Sequence, residues 1–184
     1  MMADDVSLFT IGHSTRTLDE FCAMLDGPHV DCIADVRRFP RSRRHPHFNG
    51  DALAASLAER GIAYRHFEAL GGRRQGSGAA SPHTLWREEM FRNYADHAQT
   101  PEFRAALSSL LDLAAQRRVA ILCAEAVWWR CHRRIVADYC IAAGAVVTHI
   151  LDRDKLVPAQ LTSGARICGD GGVLYAGAQS ALPL

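Results

Sequence analysis

Cys123 and the run Cys131-His132-Arg133 hold the residue types from which thiol chemistry is built. The thiolate is the reactive form of cysteine, and a place at a helix N-terminus beside Arg130 and Arg133, with Arg134 next in line for an anion, favours it at Cys131. The same backbone N–H groups and guanidiniums suit an anion such as phosphate. Six residues separate Cys123 from Arg130, one more than a Cys-dependent phosphatase loop has, and Cys131 has Arg130 as its direct neighbour, so that loop is excluded. A metal reading meets a different obstacle. Cys-x7-Cys-His lacks the paired Cys-x2-Cys of a structural zinc site, and adjacent Cys and His on a helix point apart. Only His13 or His149 from other strand ends would complete such a set, and no metal is assigned. Packing competes with all of these readings, since free cysteine is among the most buried residue types.

Glu125 and Asp35 are the acid/base candidates, because each follows an apolar strand, where partial burial and nearby charge shift a carboxyl toward neutrality. Asp35 has a second use, orienting Arg37 or Arg133 through a salt bridge. In Gly12-His13-Ser14, His13 can act as a base or a phosphate donor, or hydrogen-bond a loop carbonyl, and Gly12 permits close backbone approach. The run from Arg37 to Phe48 sets five arginines beside Phe39 and Phe48 and includes Ser42. Planar guanidiniums and aromatic rings together suit phosphates and stacked bases. Arg37 directly follows a strand and is expected to face the site, whereas Arg43 and Arg44 read as exposed. Trp128 and Trp129 offer stacking or packing.

Composition bounds these readings. The 184 residues carry 21 basic and 20 acidic side chains, and 20 of the basic ones are Arg, with Lys155 alone as Lys. A net charge of +1 excludes a uniformly basic nucleic-acid binder but not local clustering. With 48% apolar and 22% charged residues the chain reads as an ordinary globular protein. No apolar run reaches the ~18 residues of a membrane span. The acidic start Met1-Met2-Ala3-Asp4-Asp5 lacks the features of a signal peptide, so a cytoplasmic location is expected. The six cysteines are then expected as free thiols. One α/β domain over 6–177 is expected, with flexible ends at 1–5 and 178–184.

Short β-rich runs alternate with stretches of helical period, predicting a three-layer α/β fold of Rossmann or flavodoxin type. About five mostly parallel strands are expected, with helices on both faces. The strands are predicted at 6–11, 30–34, 62–67, 119–123 and 146–151. Thr17 with Glu20 forms a capping box for a helix bearing Leu18, Phe21, Cys22 and Leu25. Further helices are predicted from Asn49 or Gly50 to Arg60, from Thr84 to Ala95, from Pro101 to Arg117 with Thr100 as cap, and from Cys131 to Ala143. The stretch 73–82 is Gly/Ser-rich loop, and the tail from Asp152 reads as loop with a short edge pair. Gly12-His13-Ser14, Asp35-Val36-Arg37, Leu70-Gly71-Gly72, Cys123-Ala124-Glu125 and His149 all fall at strand C-terminal ends. That edge is where open α/β sheets bind ligands.

The ordered set of residues 10–14, Asp35 to Ser42, Leu70-Gly71-Gly72, Leu122 to Glu125, Cys131 to Arg133 and His149-Ile150 resembles the family called domain of unknown function 488. Thr162, Ala165-Arg166 and Leu174-Tyr175 resemble its closing motif, and Tyr94 its aromatic position, as a cover over the pocket or as core. The resemblance implies a compact α/β domain and no reaction. The residues themselves lead to an enzyme acting on a phosphate-bearing substrate, a nucleotide or nucleic acid. Cys123, Glu125, His13 and Cys131 are its candidate catalytic groups. Arg37, Asp35, Ser14, Ser42, Gly71, Gly72, His132, Arg133 and Tyr94 are its candidate binding groups. A non-catalytic nucleotide or nucleic-acid binding module is the first alternative, and a thiol redox or metal-responsive interaction protein the second. The expected partner is a small anionic ligand or a nucleic-acid phosphate, with no membrane. A homo-oligomer is compatible with the sequence, and no cofactor is specified.

Overall fold

The structure, a computed structural model, describes residues 6–76 and 78–177. The two ends expected to be flexible lie outside the described residues. Strands β1 (Ser7–Gly12), β2 (Cys32–Asp35), β3 (Ala63–His66), β4 (Val119–Cys123) and β5 (Val146–Asp152) pair in parallel in the order β3-β2-β4-β1-β5. A sixth strand, β6 (Lys155–Pro158), adds antiparallel to β5, and the tail ends in a small hairpin of β7 (Arg166–Ile167) and β8 (Val173–Leu174). The sheet is thus one strand wider than expected. Its order also has its own sequence, with β4 inserted between β2 and β1, where the Rossmann order 3-2-1-4-5-6 keeps strands 2 and 1 adjacent.

Helices cover both faces. Helix α1 (Leu18–Asp26) and α2 (Gly50–Ala58) bury Phe21, Leu25, Leu53 and Leu57 with Ile11, Ile33 and Leu122 of the sheet. On the other face α3 (Glu89–His97), α4 (Pro101–Ala114) and α5 (Arg133–Ala142) bury Tyr94, Phe103 and Ile135 with Ala34, Ile121 and Cys123. Successive residues of β4 thus point to opposite layers, the period-2 alternation of a strand buried on both faces.

Local sequence explains most boundaries. Thr17 accepts the N–H of Glu20 while the Glu20 carboxylate accepts the N–H of Thr17, completing the capping box on α1. Thr100 caps α4 through the N–H of Phe103, and Gly61, at φ +72°, takes the left-handed turn after α2. Two helices start later than the periodicity predicts. Residues 84–88 are loop, because the N–H of Leu85 donates to Tyr175 and the Thr84 hydroxyl accepts the N–H of Gly177, so this segment is bound to the tail. Helix α5 begins at Arg133, and Cys131 before it is extended, with φ −133° and ψ 148°. Among the described residues no helix is long and apolar enough to cross a membrane.

The strand order decides where a site can form. The chain leaves β1 and β2 toward α1 and α2 on one face, and leaves β4 toward α5 on the other. Loops diverge on both sides of β4, which makes crevices at the carboxyl ends of the strands. The loops after β1, β2, β3 and β4 all meet there.

Candidate functional site

Two clusters sit around the end of β4. The first is built on Asp35, the last residue of β2. Its carboxylate accepts the Arg37 backbone N–H at 3.0 Å and the Arg37 Nε at 2.9 Å on Oδ1. On Oδ2 it accepts Arg37 Nη2 and, at 2.7 Å, the Tyr64 hydroxyl. Asp35 therefore has the orienting role, with a bidentate fork on a buried arginine. The remaining Arg37 nitrogen, Nη1, donates to His13 Nε2 at 3.3 Å. His13 Nδ1–H donates to the Ser14 carbonyl at 2.9 Å, which fixes the tautomer, and the ring stacks on Phe48 with centroids 4.3 Å apart. Burial, then the charge of Arg37, pushes the His13 pKa down to about 4, so the ring is neutral near pH 7.

Tyr64 was not legible as part of this set. It pairs in register with Ile33, two residues before Asp35, so the strand period puts Tyr64 and Asp35 on one sheet face, but only the register reveals it. Phe48, expected as a base-stacking ring, is fully buried against His13 and serves packing.

The second cluster is built on Cys123, the last residue of β4. Its Sγ lies 2.8 Å from that of Cys131, and both thiols are free. Cys123 is 1% and Cys131 4% exposed. The Arg133 N–H, at the start of α5, points at the Cys131 sulfur at 3.4 Å. Arg133 itself is 1% exposed, and its Nη2 donates to the backbone carbonyls of Glu125 at 3.2 Å and Ala126 at 3.4 Å. Its Nε and Nη1 have no hydrogen-bond partner among the described residues, and no carboxylate there forms a salt bridge with it.

Burial alone would raise the Cys123 thiol, but the hydrogen bond with Cys131 and the Arg133 charge bring it down to about 7. Burial and the adjacent Cys123 hold Cys131 well above the usual thiol range. The pair gives up its first proton near neutrality and keeps the second.

Two histidines flank this pair. His132 Nε2–H donates to the Val36 carbonyl at 2.9 Å, which leaves its bare Nδ1 3.6 Å from the Cys131 sulfur. His149 bonds the Thr10 hydroxyl through Nδ1 at 2.7 Å and stacks on Trp128, centroids 4.4 Å apart and planes 10° from parallel. Burial, with the Arg133 charge also lowering both, holds each near pKa 4.

The other candidates take supporting places. Glu125, expected to be partly buried, is exposed, because the chain turns outward after β4 and brings its carbonyl, not its carboxylate, to Arg133. Gly12 makes that turn possible: a Cβ there would stand 1.8 Å from the Glu125 oxygen. Gly71 abuts the Arg38 backbone, and Gly72 lies against His132 Nδ1, where a Cβ would come within 2.7 Å. Both glycines thus serve close packing in this geometry. Tyr94 is core, its hydroxyl donating to the Leu70 carbonyl and its ring 5.0 Å from that of His132. Ser42 ties the arginine loop, its hydroxyl accepting the His45 N–H and its N–H donating to Asn49 Oδ1. Ser14, at φ 51°, lines a cleft of about 610 Å³ with Arg16, Glu20 and Asp152, which no side chain of the two clusters lines.

Closing-motif residues anchor the tail, since Asp138 of α5 accepts the Thr162 N–H and the Tyr175 hydroxyl. Among the described residues no group of three or more His, Cys, Asp or Glu side chains is arranged to hold a metal ion.

Residues 17–140 match the family described as Domain of unknown function DUF488, and the chain belongs to it. The match takes in Asp35, Arg37, Cys123 and Cys131 to Arg133, and stops short of His13, His149 and the closing motif. No curated protein and no solved structure matches the chain.

Proposed function

We propose that the protein is a cytoplasmic enzyme acting on a phosphate-bearing substrate at the C-terminal edge of the sheet. In this reading Cys123 is the nucleophile and Arg133 the fixed cation that receives the anion. The observation that supports it most is the Arg133 guanidinium, buried beside a thiol of low pKa, with two nitrogens unpartnered and no carboxylate paired with it among the described residues. A buried charge whose nearest anion is a thiolate formed only near neutrality is costly, and an anionic ligand relieves that cost. Admission of the anion requires the Glu125–Ala126 carbonyls to give way, which the exposed segment at Ala124 and Glu125 allows.

Thermal unfolding at low salt with inorganic phosphate and nucleoside monophosphates tests the reading. At a concentration of 100 Kd a bound anion adds about 2.7 kcal/mol of stability. That gain is expected in the native chain and absent in Arg133→Met. Equal behaviour of the two proteins with every anion overturns the reading.

A second reading, binding of single-stranded nucleic acid, rests on the arginine loop. Phe39 is 61% exposed with the Arg38 guanidinium 5.3 Å from its ring, and Arg41, Arg43 and Arg44 are exposed around it. Such a mixture of cation and ring suits stacked bases and phosphates. Phe39→Ala is then expected to weaken binding of a short oligonucleotide, measured by fluorescence anisotropy, without altering a response to inorganic phosphate.

A further inference from the structure

We infer that Cys123 and Cys131 are a two-electron redox couple, which a small hydroperoxide such as hydrogen peroxide oxidises to a disulfide across the end of β4. The sulfurs are 2.8 Å apart although they come from different segments, the end of a strand and the residues before a helix. Among the described residues no other cysteine is so paired. Cys22, Cys32 and Cys140 are buried apart with their thiols raised by that burial, Cys140 to about 12, and Cys168 is exposed. With 1% and 4% exposure the pair is reached by a small peroxide more readily than by a bulky disulfide oxidant. The Arg133 charge favours the Cys123 thiolate, the form that attacks.

In the first step the Cys123 sulfur attacks one peroxide oxygen. An S–O bond forms, the O–O bond breaks, and the departing hydroxide becomes water with the proton that Cys123 gave up in forming the thiolate. The Cys131 sulfur then attacks the sulfenic sulfur while its proton passes by way of the His132 Nδ1 lone pair toward the departing hydroxide, in one concerted relay. That lone pair is open because Nε2–H is bound to Val36 and because Gly72 brings no side chain against it. The S–S bond forms, the S–O bond breaks, and the leaving hydroxide takes the relayed proton as water. Two thiols and one hydrogen peroxide yield one disulfide and two waters, and an added dithiol reverses the reaction. The couple stands on the sulfur geometry and holds whether or not a phosphate-bearing substrate is used.

The test treats the reduced full chain with hydrogen peroxide and maps its tryptic peptides without reduction. Cleavage after Arg118, Arg130 and Arg133 puts Cys123 and Cys131 on separate peptides, 119–130 and 131–133. The expected product joins these two, lowers the free thiols from six to four, and reverts with dithiothreitol. In Cys131→Ser the Cys123 sulfenic acid has no resolving partner and is trapped by dimedone as the chain is denatured in its presence. Arg133→Gln is expected to slow the first step about tenfold as the thiolate population falls. Recovery of peptides 119–130 and 131–133 as free thiols while Cys168 is oxidised would overturn the inference. So would a Cys131→Ser chain that is folded by circular dichroism yet shows neither a dimedone adduct nor a sulfinic mass gain on peptide 119–130 when it is denatured with dimedone after the peroxide treatment.

Discussion

Arg37 and Arg133 are both buried near the end of β4, yet their charges are met in different ways. Asp35 neutralises Arg37 with a two-pronged ion pair, and Tyr64 and His13 complete the hydrogen bonding around it. Among the described residues, the Arg133 side chain meets two backbone carbonyls and a thiol pair, and no carboxylate. A saturated network of the first kind holds a loop in one conformation. An unsaturated charge of the second kind costs stability where it stands, and such a cost is the mark of a working group more than of a structural one. The two clusters share a wall, since the His132 imidazole bonds the Val36 carbonyl next to Arg37, and the His13 N–H bonds the Cys123 carbonyl.

Removing each arginine breaks or sharpens the contrast. Arg37→Met leaves the Asp35 carboxylate buried without its cation and is expected to cost about 3–5 kcal/mol, read from urea unfolding. A loss under about 1 kcal/mol would show that the network holds nothing in place. Gly12→Ala forces the Glu125 carbonyl, which tethers Arg133, away from a Cβ that would stand 1.8 Å from it. The expected cost is about 3 kcal/mol, with a changed thiolate titration at 240 nm as the local readout. An unchanged titration would separate Gly12 from the thiol cluster.

Acid should strain both clusters through their histidines. His13, His132 and His149 each have a folded pKa of about 4, below the ordinary value of 6.5. Between those limits the unfolded chain binds more protons than the folded one. Stability from these rings is therefore complete above about pH 6.5 and lost as the pH falls toward 4, by up to about 1.4 kcal/mol per pH unit for each ring. Urea midpoints across that range check the slope. His149→Phe, which keeps the stack on Trp128, should reduce it by one ring's share.

The smallest effect is expected at Arg133. Measured at pH 6, where the Cys123 thiol is largely protonated, Arg133→Met should unfold within about 1 kcal/mol of the native chain or above it. A loss comparable to that of Arg37→Met would mean that the two arginines do the same structural work, and the contrast would fall.

The legible parts of the protein were those fixed by neighbours in sequence. The Thr17 and Glu20 capping box, the Thr100 cap and the Gly61 stop are short-range hydrogen-bond and backbone demands, and each reads directly from spacing. The orienting role of Asp35 was legible with Arg37 or Arg133 as its partner, and the structure selects Arg37, which only Val36 separates from it at the end of one strand. Less legible were positions whose backbone is claimed from far away. Thr84 looked like the start of a helix until the tail bound its segment, and Glu125 looked partly buried until the turn after β4 carried its side chain outward.

The chain by itself determined that thiols, histidines and arginines would gather at the carboxyl ends of parallel strands, since hydrophobic periodicity and turn residues fix where strands end. Tertiary structure decided which of them meet. Insertion of β4 between β2 and β1 puts Cys123 between the loops bearing Arg37 and His13, and the return of the chain before α5 brings Cys131 to Cys123. Which arginine finds a carboxylate and which is left beside a thiol depends on strand order and register. Those arise from packing across the whole sheet, and no local spacing encodes them.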